Sequence, residues 1–260
     1  MITSKPTKHL TGITLEGEYS DFYEMTECIH QMTGLDDSYD DIYWGVKNRL
    51  LGICYDIRHA YQGERNVLLA KNGVFEELME WHSMVLPKNN VHFSAEILFP
   101  EAVFVALSAP ELYLLSSRYY GSCAKKNETK NGFSAQRYSD YLRDQALIDL
   151  LSSTILQALA DVIGDDELEK LMKYHRRGYG PDFQFERYVT QYIDKCNLEY
   201  LKTDVEKRKD KLRNIVKRIL LKTGSYEKMK RELEYSAKEY GCSIYELEYT
   251  KLEYPENIEW

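Results

Sequence analysis

The chain has 260 residues, 43% of them hydrophobic and 29% charged, a balance that supplies a packed core and excludes a disordered or fibrous protein. Its formal net charge of −8 argues against a dedicated nucleic-acid binder, because affinity for phosphates comes mainly from Lys and Arg. Five scattered cysteines, Cys28, Cys54, Cys123, Cys196 and Cys242, lack the spacing of a zinc set or a redox dithiol, so reduced thiols in a cytoplasmic protein are expected.

The opening MITSKPTKHLTG has no apolar core of a secretory signal, and none is expected. Residues 8–19 alternate, with Thr11, Ile13, Leu15 and Tyr19 on one side and Thr14, Glu16 and Glu18 on the other, which predicts a half-buried strand. Asp21 with Glu24 three positions later forms a capping-box pattern. The helix it opens carries Phe22, Met25, Ile29 and Met32 on one face and stops at Gly34. A second helix starts near Ser38, carries an apolar stripe of Ile42, Val46, Leu50, Ile53, Ile57 and Tyr61, and ends at Gly63. NVLLAK at 66–71 then predicts a strand. The turn pair Asn72-Gly73 and a short helix with Phe75, Leu78, Met79, Trp81 and His82 come next.

VHFSAEILF alternates as a third strand, with Val91, Phe93, Ala95 and Ile97 on one face and His92, Ser94, Glu96 and Leu98 on the other. An apolar helix runs from Pro100 to about Tyr120, bent at Pro110; its Pro and Glu residues suit a buried helix and not a membrane span. The polar stretch 121–133 is an exposed loop and the candidate boundary. Helices are predicted at about 134–163, 166–177, 183–197, 198–222 and 225–240, followed by an acidic, Tyr-rich tail that could be a strand or an ordered arm. The expected fold is therefore α+β: a small three-stranded sheet with packed helices over 1–120, and an all-helical region over 134–260, either a second domain or one unit with the first.

The run YDIRHAYQGERNV, the segment EELMEWHSMVLP and the strand VHFSAEILFPE are similar to an uncharacterised family of bacterial cytosolic proteins. The resemblance covers roughly residues 8–108. It implies a bacterial or phage setting and brings no catalytic residue with it.

Four groups of residues could carry chemistry. On the second helix, Arg49, Gly52, Asp56 and His59 fall at spacings of 3, 4 and 3 along one edge of the apolar stripe, so Asp56 could orient the His59 imidazole as a general base. The competing reading places Arg58 and His59 in the last turn, where cations favour the helix dipole, with Asp56 as an ion-pair partner. On the third strand, His92, Ser94 and Glu96 share a face, and His82 could join them. No HxxxH or HxH motif supports a metal there, and Ser94 lacks a nucleophile-elbow context. At 173–189, His175, Arg176 and Arg177 precede Gly178 and Gly180 and could hold an oxyanion, or simply close a helix. Finally, Lys207, Lys211, Asn214, Arg218 and Lys222 form a basic stripe that could lie on nucleic acid or on an acidic protein surface.

The 22 tyrosines offer contact area at interfaces, or rings set at the rim of the core. With no cofactor motif and no metal-ligand spacing, the expected function is that of a non-enzymatic interaction or regulatory protein. Helices 134–163 and 198–222 look suited to self-association or a protein partner. A hydrolase or nuclease built on Asp56, His59, His82, His92 and Glu96 is one alternative. Nucleotide or nucleic-acid binding through Arg176, Arg177, Lys211 and Arg218 is another.

Overall fold

The computed structural model describes residues 1–33, 42–123, 138–175, 183–249 and 252–260, with the backbone alone over 115–123. Four strands, β1 (Thr3–Pro6), β2 (Gly12–Gly17), β3 (Asn66–Lys71) and β4 (Asn89–Leu98), form one antiparallel sheet in the order β1-β2-β4-β3. The three predicted strands are β2, β3 and β4; the expectation of a three-stranded sheet is corrected to four by β1. Its sequence, TSKP, has no apolar alternation and ends in proline, so nothing local announces a strand. Pairing with β2, from Thr3 opposite Glu16 to Pro6 opposite Ile13, creates it.

The β2–β4 register sets Ile13 opposite Ile97 and Leu15 opposite Ala95, so these side chains share the face turned to the core, and all four are buried. Gly12 sits where a Cβ would meet the Ile97 carbonyl oxygen at 2.0 Å, so the strand can start this close to β4 only with glycine. Onto the core face pack α1 (Tyr19–Thr33) and α2 (Trp44–His59), whose predicted stripes are buried through Phe22, Met25, Ile29, Met32, Val46, Leu50, Ile53 and Ile57. The cap of α1 differs in detail from the sequence pattern: the Asp21 carboxylate reaches back to accept from the Glu18 N–H at 3.0 Å, the return half of a capping box. A wide π-type turn, Ala60–Glu64, closes α2 and holds Gly63 within it at φ +85°.

Helix α4 (Phe99–Cys123) runs through the middle of the molecule and is buried almost without interruption from Phe99 to Tyr113. Around it lie α2, α5 (Tyr138–Ile163), α7 (Gln191–Leu201) and α8 (Val205–Leu221); α3 (Glu76–Trp81), α6 (Asp165–Met172) and α9 (Ser225–Tyr240) complete the described α-helices. A single hydrophobic cluster extends from Ile2 through the sheet and α4 to Leu233 of α9. Helix α5 is long and apolar enough to cross a membrane, but half of its most apolar stretch is buried within the fold, against α4 and β1.

The helix predicted at 183–197 lies instead at Gln191–Leu201. The cause is Glu111, buried on α4, whose two oxygens accept from the backbone N–H groups of Gln184 and Phe185, both at 2.9 Å. Those donors are thereby drawn into a turn, and Arg187 follows at φ +50°. Beyond α9 the described tail adopts no regular element and lies as a strap, held where Gln191 bonds both Leu247 and Tyr249 and where the Thr11 hydroxyl donates to the Glu259 carbonyl.

Leu15→Ala removes a fully buried side chain at the sheet–helix interface. It is expected to lower the unfolding free energy by about 2–5 kcal/mol, read as a shift in the urea midpoint at unchanged slope.

Candidate functional site

A cavity of about 350 Å³ opens where α2, β4, α4, α7 and the tail converge, lined by Asp56, Arg65, Glu96, Glu101, Asn197 and the rings of Tyr254 and Trp260. The arrangement follows from local structure. Asp56 lies one turn before the end of α2, Arg65 follows the π-type turn, Glu96 alternates away from the core face of β4, and Glu101 stands in the first turn of α4. The cavity's charges are already engaged. Arg65 donates to Asp56 at 2.9 Å and Asn66 donates to Glu96 at 3.1 Å. Burial pushes the Asp56 carboxyl above its ordinary pKa, and Arg65 opposes the shift only in part.

The back of the cavity is an ion network centred on Arg49. Its guanidinium donates to Glu101 at 3.0 Å and to the Thr190 carbonyl at 2.9 Å, and it forks onto both carboxylate oxygens of Asp194. Asn197 donates to Glu101 at 3.0 Å and to the Tyr254 hydroxyl at 3.1 Å, and that hydroxyl donates to Asp194 at 2.9 Å. Burial raises the pKa of Glu101, with the Arg49 charge working against it. Three helices and the tail are thus tied at one point. Arg49, Asp56, Arg65, Glu96, Glu101 and Asp194 each face a partner of opposite sign or a hydrogen-bond donor, whereas Oδ1 of Asn197 is buried with no hydrogen-bond partner among the described residues.

Of the four residues proposed for catalysis, Asp56 and Glu96 share this cavity, whereas His59 and His92 are not among its lining. His59 contacts Glu64 at 2.5 Å and lies against the Tyr55 ring at a tilt, with ring centres 4.0 Å apart. His92 lies 3.8 Å from Glu18. Ser94 is buried, and His82 is exposed at the C-terminal end of the short helix Glu76–Trp81, so the strand face does not gather these side chains around one point. Among the described residues no three His, Cys, Asp or Glu side chains are grouped to hold a metal ion. Arg176 and Arg177 fall outside the described residues. Lys211 and Arg218 both turn to Glu199 of α7, at 3.1 and 2.7 Å. Burial opposes ionisation of Glu199, but the bonds from Arg218 and Lys211 outweigh it and hold the carboxyl below its usual range. Lys207 pairs with Asp204 at 2.8 Å.

The other distinctive surface is apolar. Between Val67 and Val91, nine large hydrophobic side chains stand exposed, among them Leu69 (72%), Trp81 (84%) and Val85 (95%). Elsewhere among the described residues the exposed large apolar side chains are tyrosines together with Met1, Leu142, Val205 and Leu221. The reason is geometric. β3 is a sheet edge, and α3 (Glu76–Trp81) is six residues long and has no buried residue. A helix this short has no face to bury, so Phe75 and Trp81 remain in solvent with the Met84-Val85-Leu86 run beyond them. The apolar faces of α5 and α8, expected to serve a partner, are instead consumed inside the fold through residues such as Ile155, Leu159, Leu212 and Val216.

Residues 2–260 match the profile of a family described as a domain of unknown function, DUF6904. The chain belongs to the DUF6904 family. The match extends over both halves, well beyond the 8–108 covered by the resemblance seen in the sequence. No curated protein and no solved structure matches this chain.

In this DUF6904 chain the sequence reading reached Arg49 and Asp56 but missed Glu101, Asp194, Asn197 and Tyr254. One signal was present: an acid inside an otherwise apolar helix requires a buried partner. The exposed arm carried another, three consecutive apolar residues immediately before a proline.

Removing the guanidinium in Arg49→Ala leaves Glu101 and Asp194 half-buried without their cation and is expected to cost about 3–5 kcal/mol at neutral pH. Because the folded-state pKa of Glu101 is raised, the folded chain holds that proton more tightly than the unfolded chain, and ionising it costs stability as pH rises. The deficit of the variant should therefore shrink as the pH is lowered and Glu101 takes up its proton. Urea titrations of both proteins at neutral and mildly acid pH check this, and a deficit that widens on acidification contradicts it.

Proposed function

We propose that this chain is a non-enzymatic protein-interaction protein of a reducing, cytosolic compartment, and that the β3–α3–β4 arm is the surface that holds its partner. The observation that carries this reading is the arm itself: nine exposed large hydrophobics within twenty-five positions on an otherwise well-packed molecule. Monomeric proteins rarely leave such a surface uncovered, because water is excluded from it favourably as soon as a complementary surface arrives. Trp and Phe anchors among aliphatic neighbours are also the composition found at the energetic centre of interfaces.

The charge distribution supports the same reading. Asp56, His92, Glu96, Lys211 and Arg218 each lie beside an oppositely charged or hydrogen-bonding group within the chain, as does Nδ1 of His59, although its Nε2 is buried without one. The thiols of Cys28, Cys54 and Cys196 are buried, and burial raises the pKa of each, as suits reduced packing residues and not nucleophiles.

A photo-crosslinking residue at position 84 tests this. In the full chain it should yield protein adducts, and a control at exposed position 240 should not. The double variant Trp81→Ser, Val85→Ser should abolish the adducts while leaving the unfolding free energy within about 0.5 kcal/mol of the parent, since both side chains stand in solvent. Adducts that persist in the double variant, or that never form at position 84, refute the assignment.

A further inference from the structure

The interaction reading leaves the partner unnamed, and the edge of the sheet narrows it. The two edges are treated differently. β1 carries Lys5 and Pro6, both devices that discourage further pairing, and is covered by α5, with the Ser4 hydroxyl bonded to the Thr154 carbonyl at 2.6 Å. β3 lacks the proline and carries its one lysine only at its last position. Its ladder to β4 runs without a bulge from Asn66 opposite Ser94 to Lys71 opposite Asn89, it contains no proline and no charge before Lys71, and it is exposed along nearly its whole length. An edge of this kind is a template for another strand.

Resting on the interaction reading above, we infer that the occupant of the β3 edge is a second copy of this chain, paired β3 to β3 antiparallel about a two-fold axis through Leu68. Symmetry and chemistry select that register. A two-fold axis perpendicular to a sheet keeps the faces of both copies on the same sides, so each residue can oppose only a residue that points the same way. Centring on Leu68 sets Leu68 against its own copy, and Val67 against Leu69 of the second chain, apolar against apolar on both faces. Centring on Leu69 would set Lys71 against Val67.

Arg65, which comes opposite Lys71 of the second copy at the end of the ladder, is already turned to Asp56. Val67 and Leu69 lie on the same sheet face as Val91 and Phe93, which leads into the buried Ala95 and Ile97. The pairing therefore continues an apolar face that the single chain leaves half uncovered.

Charge complementarity points to the same occupant. The chain as a whole carries −8 and repels its own copies over most of its surface. The arm from 66 to 91 carries Lys71 and Lys88 against Glu76, Glu77 and Glu80, and Lys88 is paired with Glu76 at 2.7 Å. This is a region where two identical chains meet with little net charge on either side.

The test uses the full chain in two measurements. Sedimentation equilibrium should give twice the mass of one chain, and Leu69→Lys should weaken the association at least about tenfold, a change of about 1.4 kcal/mol, with an unaltered circular dichroism spectrum. Under mild oxidation, Leu68→Cys in a chain that also carries Cys123→Ser and Cys242→Ser should produce a covalent dimer, and peptide mass spectrometry should show position 68 joined to position 68; the native Cys28, Cys54 and Cys196 are buried and should not compete.

A monomer with no such link overturns the inference, as does a dimer in which position 68 stays unlinked. If that monomer still yields the adducts at position 84 that the Trp81 and Val85 variant abolishes, only the choice of partner fails, and a strand or surface of another protein takes the place of the second copy. If neither behaviour appears, the interaction reading falls with it.

Discussion

The Arg49 guanidinium is the interaction on which this architecture turns. It leaves α2, reaches α4 through Glu101 and α7 through Asp194, and through the hydrogen bonds of Asn197 and Tyr254 it also fixes the tail. A fork of donors in one plane can satisfy two carboxylates and a carbonyl at once, which a lysine cannot do. The gain is specificity of arrangement more than stability. Partly buried ion pairs recover little beyond their own desolvation, but they penalise every alternative packing in which one charge is left alone. Helices with interchangeable Leu and Ile faces need such a key to decide which neighbour goes where.

Glu111 and Arg208 repeat the device elsewhere. Glu111 collects two backbone donors from the 184–185 turn and sets where α7 begins. Arg208, buried on α8, donates to the His9 carbonyl and to the Thr11 hydroxyl, both at 2.6 Å, so the helical half grips the turn between β1 and β2. In all three cases a charge inside the fold acts as a connector between segments distant in sequence. At these three points ionisable residues assemble the molecule, while the 67–91 arm is where its exposed surface is richest in large apolar side chains.

This division explains which parts were legible in the sequence. Periodicity read along the chain recovers elements whose faces meet one large core: the stripes of α1 and α2 and the alternation of β2 and β4 were visible because Ile13, Leu15, Phe22 and Ile57 all report the same apolar environment. It fails where a remote contact overrides local preference. β1 exists because β2 offers it a ladder, and the residues before α7 turn because a carboxylate on α4 claims their N–H groups. The candidate site was half legible for the same reason. Asp56 and Glu96 could be proposed from helical and strand spacing, but Asp194, Asn197 and Tyr254 join Glu101 only through folding. The tyrosines divide similarly: Tyr188, Tyr192, Tyr200 and Tyr226 are core residues, and the hydroxyls of the last three find partners in Ser225, Leu10 and the Val189 N–H. Composition alone could not separate these from rings in solvent.

The tail has a consequence for the order in which the molecule is built. The bond from Thr11 to Glu259 spans 248 positions, and the same hydroxyl accepts from Arg208. During synthesis the sheet and the first helices emerge long before the residues that close over them. Contacts this distant in sequence form late, because the entropy of the intervening loop must be overcome first. The nascent chain therefore passes through a stage in which the Arg49 cluster lacks both its α7 carboxylate and its tyrosine cover. Docking of the strap therefore closes the Arg49 cluster late, after the elements it ties are already in place.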